Sequence, residues 1–495
     1  GLIDELQITD RAASEEEIRV AYKEYLEPFG GAAPTPDTEQ KRARYDGDRH
    51  RPQYHYVPPE HWMNEPHAPL YYDGQYHIFY QHNPQGPYWH HIHWGHAVSD
   101  DMVHWVDQPW ALAPEAGSVA PDGVWSGDAD RDANGEPVLF ITAGDDSQVP
   151  HQNVGLALPL EPANPLADWE MHEDLVIVQE PDQLVEVEAA GGTVTGNVWY
   201  GQFRDPMVWQ ELDDDGNPIW YLIIGSGVKL GEASGLELEG GSIPFGGTAL
   251  IYTSTDLYKW AFQGALYIGN ASKYPWTGIV WELPVLLPLG QDSQREEKHI
   301  MKVNPWVEGY SPYAVKNVYY WIGTWDRENY RFIPDDEEPQ RWDYGDHFTG
   351  PSGTVDDQGR SIVFSIAQDR RTEQQHYDSA WAHNAGLPIV VSLLPDDTLG
   401  IEPIPELSSL RVEQLASFTD KGLEEANELL AGVGSDLLEV LVELEPVDAT
   451  QFGVSVRRSP DGQEETLFYY DAAAGTLSMD RTRSSLDPDS RKGIQ

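Results

Sequence analysis

Short runs of aromatic and β-branched residues recur from about Arg51 to His383, each broken by Gly, Pro, Asn or Asp. VLFITAG, IWYLIIGSG, ALIYTST, YYWIGTW and SIVFSIA are the clearest, and helical periodicity between them is scarce. Such residues suit a pleated, half-buried surface, so the pattern predicts an all-β unit of many short strands. Spacing alone leaves a barrel, a sandwich and a propeller open. Beyond Gly386 a segment PIVVSLLPDDTLGIEPIPEL leads to a short helical patch near Leu423–Leu430. LLEVLVELEP, FGVSVRRSPDG, ETLFYYDAAAG and TLSMDRTRSS then alternate as strands ended by turns, which predicts a second β unit, a sandwich. Ahead of all this, Leu2–Thr9 alternates like a strand, and Ser14 with Glu17 forms a capping box that opens a helix to about Tyr22. Residues 29–50, rich in Gly, Pro, Ala and charge, read as a linker.

Charge changes the picture next. Lys and Arg number 31 against 83 Asp and Glu, a formal net charge of −52. Nucleic acid and anionic membranes are therefore poor partners, because binding them takes clustered Lys and Arg. An acidic excess spread over the whole chain points to a protein of concentrated salt, where screening shrinks to a few ångströms. Cysteine is absent, which removes disulfides, thiolate metal sites and Cys nucleophiles. No run of about 18 apolar residues offers a membrane span. Residue 1 is Gly, and no signal-peptide pattern follows it, so a fragment or processed form is expected.

Chemistry concentrates between Glu60 and Trp105, EHWMNEPHAPLYYDGQYHIFYQHNPQGPYWHHIHWGHAVSDDMVHW. Flat aromatic faces beside His, Asn and Gln are what a polar small-molecule pocket needs; each ring taken singly reads more readily as core, but the cluster as a whole reads as a sugar site. Three carboxylates stand in aromatic or charged frames beside a proline: Glu65 in WMNEP, Asp205 in FRDP with Arg204 beside it, and Glu282 in WELP. Glycosidic hydrolysis uses one carboxylate as nucleophile or base and a second, protonated, as acid. In a chain with 83 acidic residues, spacing does not show that these three converge. His82, His90, His91, His93, His96 and His104 raise a metal reading, but they lack the helical i, i+4 spacing of a zinc protease and have no clear acid partner. Glu211–Asp215 reads as a solvated turn before a calcium loop. No cofactor and no metal are expected.

Taken in order, the motifs resemble the family-32 glycoside hydrolases, the invertase, inulinase and levanase group. WMNEPHA at Trp62–Ala68 is similar to the family's W-M-N-D-P-N-G, and Phe79–Pro84 to F-Y-Q-x-N-P. Trp94–Trp105 is similar to W-G-H-A-x-S-x-D-x-x-H-W, and DGVWSG at Asp122–Gly127 to D-G-x-x-S-G. Arg204–Pro206 matches R-D-P, Glu282–Pro284 stands for E-C-P, and Asp343–Gly345 matches D-Y-G. The resemblance implies a five-bladed β-propeller over residues 51–410, followed by a C-terminal β-sandwich over 411–495. It implies retaining hydrolysis of β-fructofuranosidic bonds in levan, inulin or sucrose. Glu65 would be the nucleophile, Asp205 the transition-state stabiliser with Arg204 reading hydroxyls, and Glu282 the acid/base, which must hold a proton at the start of the cycle. Asn64, Gln81, Trp89, Trp125 and Ser126 would shape the fructosyl pocket. An oligo- or polysaccharide substrate and an extracellular place follow.

Three departures stand inside the motifs. Glu65 replaces the family's Asp, His67–Ala68 replaces Asn-Gly, and Leu283 replaces Cys. With them a fructosyltransferase, a hydrolase of another furanoside and a non-catalytic sugar-binding protein stay open. Residues 1–28, IDEL-x-I followed by RAASEEEI, resemble the closing strand and turn of a laminin-G-like sandwich, as a C-terminal remnant of that domain.

Overall fold

The computed structural model describes residues 11–14, 17, 20–21, 38–160, 168–189, 192–230, 243–306, 317–345, 347–488 and 493–494. The expected strand at Leu2–Thr9, and with it most of the laminin-G-like stretch, lies outside them. Ser14 and Glu17 make the capping box: Ser14 N–H donates to Glu17 Oε2 at 2.8 Å and Glu17 N–H to Ser14 Oγ at 3.3 Å.

Five antiparallel sheets follow one another along the chain as blades. Blade I holds β1 (His61–Tyr72), β2 (Gln75–Asn83), β3 (His93–Ser99) and β4 (Trp105–Asp107). Blade II holds β5 (Gly123–Arg131), β6 (Pro137–Gly144), β7 (Gln152–Pro159) and β8 (Trp169–Met171). Blade III adds a hairpin, β9 (Leu184–Ala189) and β10 (Gly192–Val198), to β11 (Arg204–Leu212), β12 (Pro218–Leu230), β13 (Ile243–Ser254) and β14 (Ala261–Ile268). Blade IV runs β15 (Val280–Gln291), β16 (Glu297–Trp306), β17 (Tyr319–Asp326), β18 (Arg331–Pro334), with β19 (Gln340–Arg341) on β17. Blade V begins with β20 (Phe348–Val355) and β21 (Ser361–Ala367). Before its outer strands, β22 (Trp381–Ala382) pairs parallel with β1 and joins the last blade to the first. β23 (Asn384–Ala385) then pairs with β21, and β24 (Ile389–Leu393) and β25 (Leu399–Pro403) complete blade V. Between blades the faces meet in apolar layers, the largest joining blades III and IV around Trp281, Tyr221 and Trp321.

The turns obey a repeated local rule. In blades II to V the first hairpin is headed by Asp132, Asp213, Asp292 or Asp356, whose Oδ1 accepts the N–H groups two and four residues on. Three of these turns place a glycine at positive φ at the fourth position, and the fourth places Arg295 there. An aspartate that satisfies turn amides itself is an economical hairpin closure. The acidic loop at Glu211–Asp215 is one of these turns.

Residues 38–50, inside the stretch that reads as a linker, carry a helix α1 (Thr38–Ala43) set against the propeller. Arg42 donates to both oxygens of Asp107 at 2.8 Å and to Val57 O at 2.9 Å, and Tyr45 Oη donates to Ala380 O at 3.0 Å. Beyond 411 the described strands form one antiparallel sheet, β26 (Gln451–Val456), β27 (Thr466–Asp471) and β28 (Thr476–Asp480). LLEVLVELEP is not a strand there: it runs exposed and unpaired. Alternation makes an apolar face, but only a neighbouring strand satisfies the backbone.

Candidate active site

One local device repeats at the inner strand of every blade: a bulge where the ladder skips one residue or two. The register shifts between Met63 and Pro66, Trp125 and Gly127, Arg204 and Met207, Glu282 and Val285, and Thr349 and Ser352. Three of the five contain proline (Pro206, Pro284, Pro351) and a fourth ends on one (Pro66), a residue with no N–H to give the ladder. A bulge re-aims side chains, and here all five aim at the propeller axis. The consecutive pairs at these bulges are Asn64–Glu65, Trp125–Ser126, Arg204–Asp205, Glu282–Leu283 and Thr349–Gly350, of which Trp125, Arg204, Glu282 and Thr349 are the last ladder-paired residues before the bulge. Asp205 and Leu283 sit at φ +60 and +48, where ordinary residues are rare, as local strain held by the surrounding sheets.

All residues of these pairs but Ser126 line a cavity of about 630 Å³. Asn64, Glu65, Gln81, Trp89, Trp125, Arg204, Asp205 and Glu282 all reach its wall. Ser126 is fully buried one layer behind, where its Oγ donates to Glu65 Oε1. Gln81 Nε2 donates to the same oxygen at 2.9 Å. Trp89 stands at the rim, 58% exposed, while Trp125 is half-buried.

Hydrogen bonds link the bulges around the axis. Thr142 Oγ1 donates to Ser126 O at 2.7 Å and accepts from Asp205 N–H at 2.8 Å. Leu283 N–H donates to Asp205 Oδ2 at 3.1 Å. Arg204 Nε donates to Glu282 Oε1 at 3.0 Å, and its Nη1 donates to Gln202 Oε1 at 2.7 Å. Glu282 and Asp205 thus face one guanidinium. Burial raises the Glu65 carboxyl to about 7, helped by Glu282 and opposed by the Ser126 hydroxyl. Burial and then the Glu282 charge push Asp205 well up, against the pull of Arg204. Such displaced carboxyls mark a site built for proton handling.

The histidines divide. His82 and His96 are buried, with His82 Nδ1 2.8 Å from Trp62 O and His96 stacked on Phe79 at 4.5 Å. His104 Nδ1 lies 2.7 Å from Asp101 Oδ2, in the loop before β4. His90 and His91 stack on each other in the open, and His93 Nδ1 lies 2.6 Å from His91 O. Sequence reasoning missed Thr349–Gly350, Asn304, Trp306, Gln152 and Gln202 on the cavity wall. FTGP carries the same proline-ended signature as the other bulges; the rest sit on loops or partner strands with no local signature.

A five-bladed propeller with a carboxylate-lined, sugar-sized cavity on its axis defines the class. The sequence matches the glycosyl hydrolases family 32 N-terminal domain over residues 55–403 and the family 32 C-terminal domain over 406–494. The chain belongs to glycosyl hydrolase family 32. Among its relatives, an insoluble β-fructofuranosidase isoenzyme 2 of Oryza sativa is 32% identical over 377 residues, 72% of this chain and 56% of the rice one. An acid β-fructofuranosidase of Phaseolus vulgaris is 30% identical over 73% of this chain and 51% of its own. The chain thus spans little more than half the length of these curated relatives. The solved fructan 1-exohydrolase IIa of Cichorium intybus aligns with a TM-score of 0.66 at 22% identity, over 90% of this chain and 84% of that one. Bombyx mori β-fructofuranosidase aligns at 0.63 and 23%, over 93% and 84%. These likenesses show the fold, a five-bladed propeller followed by a β-sandwich domain, to which β26–β28 contribute a sheet.

Proposed function

We propose that this chain is a retaining glycosidase that cleaves β-fructofuranosidic bonds in fructans or sucrose. The observation that carries the reading is the convergence of Glu65, Asp205 and Glu282 on one cavity, with Arg204 on Glu282. The relatives named β-fructofuranosidase support the bond type. Glu65, oriented by Gln81 and Ser126, attacks the anomeric carbon while Glu282 protonates the leaving oxygen. Water, deprotonated by Glu282, then releases fructose. Asp205, anchored by Leu283 N–H, stabilises the positive charge of the transition state through its hydrogen bonds to the fructosyl unit. Trp89 and Trp125 offer flat faces to the sugar.

The acidic surface supports work in concentrated salt, and the cell wall β-fructofuranosidase of Zea mays among the relatives supports an extracellular place. The test is sugar release from sucrose, inulin and levan in molar salt, with Glu282→Gln and Glu65→Gln alongside. Release by the parent and its loss in both variants is expected. No release from any of the three by folded parent contradicts the reading.

A further inference from the structure

Of the 18 tryptophans in the chain, only Trp89 and Trp110 are exposed, at 58% and 44%. Both belong to blade I. An indole left in water forgoes a large burial gain, so two of them on one blade mark a surface that something covers. Trp89 lines the cavity and sits in the loop between β2 and β3. Trp110 follows β4. Ala111 N–H donates to Trp94 O and Trp94 N–H to Leu112 O, both at 2.9 Å, so this stretch runs along the outer edge of β3. The strand order β1-β2-β3-β4 puts that edge three strand spacings from β1, about 14 Å.

Imidazoles fill the interval. Trp89 lies beside His90 with ring centres 6.3 Å apart, and His90 stacks on His91 at 4.3 Å with the planes 12° apart. His93 Nδ1 meets His91 O at 2.6 Å, and the His93 ring meets Trp110 edge-on at 5.0 Å. His93 pairs with His82, at the same end of the blade as Trp62 and the Asn64–Glu65 bulge. His90 and His91 are exposed and His93 is half-buried, so the rings make one track from the cavity rim to the outer edge of the blade. Flat faces with ring nitrogens between them suit an uncharged chain rich in hydroxyls. A net charge of −52 turns away anionic polymers and anionic lipid surfaces.

We propose that this track binds the fructan chain beyond the cleaved bond, which makes the preferred substrate a polymer and not a disaccharide. The inference rests on the reading of the cavity as a fructosyl site. The terminal unit occupies the cavity at Glu65, and the units that follow leave past Trp89 and lie over the imidazoles and Trp110. A disaccharide held at Glu65 does not reach Trp110. Contacts at Trp110 are made alike in the bound substrate and in the transition state, so they act on KM and not on kcat.

The test is fructose release from sucrose, inulin and levan by the parent, Trp110→Ala and Trp110→Tyr, with thermal unfolding of each and KM counted per chain. The parent should show a lower KM for at least one polymer than for sucrose. Trp110→Ala should raise the KM for that polymer roughly tenfold, the loss of one stacked ring, with kcat and the sucrose KM unchanged. Trp110→Tyr, which keeps a flat face, should recover most of the loss. A parent with no KM advantage on either polymer overturns the inference. So does a polymer KM that Trp110→Ala leaves alone, or a rise that sucrose shares equally. Should Trp110→Ala not fold, Trp110→Leu, which keeps apolar bulk without a flat ring, takes its place. A parent that releases fructose from none of the three overturns the functional reading instead. Calorimetric titration of parent and variant with inulin and with levan then decides this inference. Binding that weakens roughly tenfold in the variant supports it, and no binding or equal binding overturns it.

Discussion

Glu65 is held where its charge is costly, and that cost has a pH signature. Its carboxyl titrates at about 7 in the fold against 4.5 as an unperturbed group. A raised carboxyl favours the folded state below its unfolded value, and the advantage disappears as pH climbs through the folded value. Between about pH 5 and about pH 8 the parent should therefore lose on the order of 3 kcal/mol that a Glu65→Gln variant keeps. Denaturant unfolding of both proteins at the two pH values checks this; an equal pH dependence contradicts it. Ser126 matters for the opposite reason, because its hydroxyl donates to the ionised form. Ser126→Ala removes a hydrogen bond to a charged group, worth about 1.5–3 kcal/mol, and should lower kcat/KM roughly 10- to 100-fold together with the unfolding midpoint. The carboxylates that reach the cavity could be read from sequence, because Glu65, Asp205 with Arg204, and Glu282 beside proline announce both chemistry and a bend. The place of Gly350 on the same wall could not, since a glycine carries no chemistry to announce it.

At the scale of elements, the same corner is built twice. SDDMVHW at Ser99–Trp105 and STDLYKW at Ser254–Trp260 each use an aspartate to cap the loop. Asp101 Oδ1 accepts from Val103 and His104 N–H at 2.9 and 2.8 Å, and Asp256 Oδ1 accepts from Tyr258 and Lys259 N–H at 2.9 and 2.8 Å. Trp105 and Trp260 then close each corner by donating to Met102 O and Leu257 O. The family motif ending at Trp105 is thus partly a corner of the scaffold and stands outside the cavity. Asp256→Ala should cost about 1–2 kcal/mol of stability, as loss of a cap does, and leave KM unchanged; a shift in KM without loss of stability contradicts that assignment. Strand content could be read from alternation, and the hairpins from their Asp and Gly. Blade membership could not, because pairing between distant segments such as β1 and β22 leaves no local trace. LLEVLVELEP shows the converse: its pattern is that of a strand, yet among the described residues no strand pairs with it.

For the whole molecule, a net charge of −52 makes the fold repel itself at low ionic strength. The unfolding temperature should rise steadily as sodium chloride goes from about 0.1 M, where the Debye length is near 10 Å, to above about 1 M, where it is near 3 Å. A flat or falling response would refute the salt adaptation. The propeller joins five weakly similar sheets so that each contributes one bent pair to a shared axis, and the central claim is that this axis makes a covalent bond to fructose through Glu65. The most direct measurement uses Glu282→Gln with an aryl β-fructofuranoside in molar salt, a leaving group that needs no proton donor. With the base absent, water is not activated and the intermediate persists. Mass spectrometry should find one fructosyl unit on the peptide that contains Glu65. No adduct on the folded variant, or an adduct on a different carboxylate, would contradict the account.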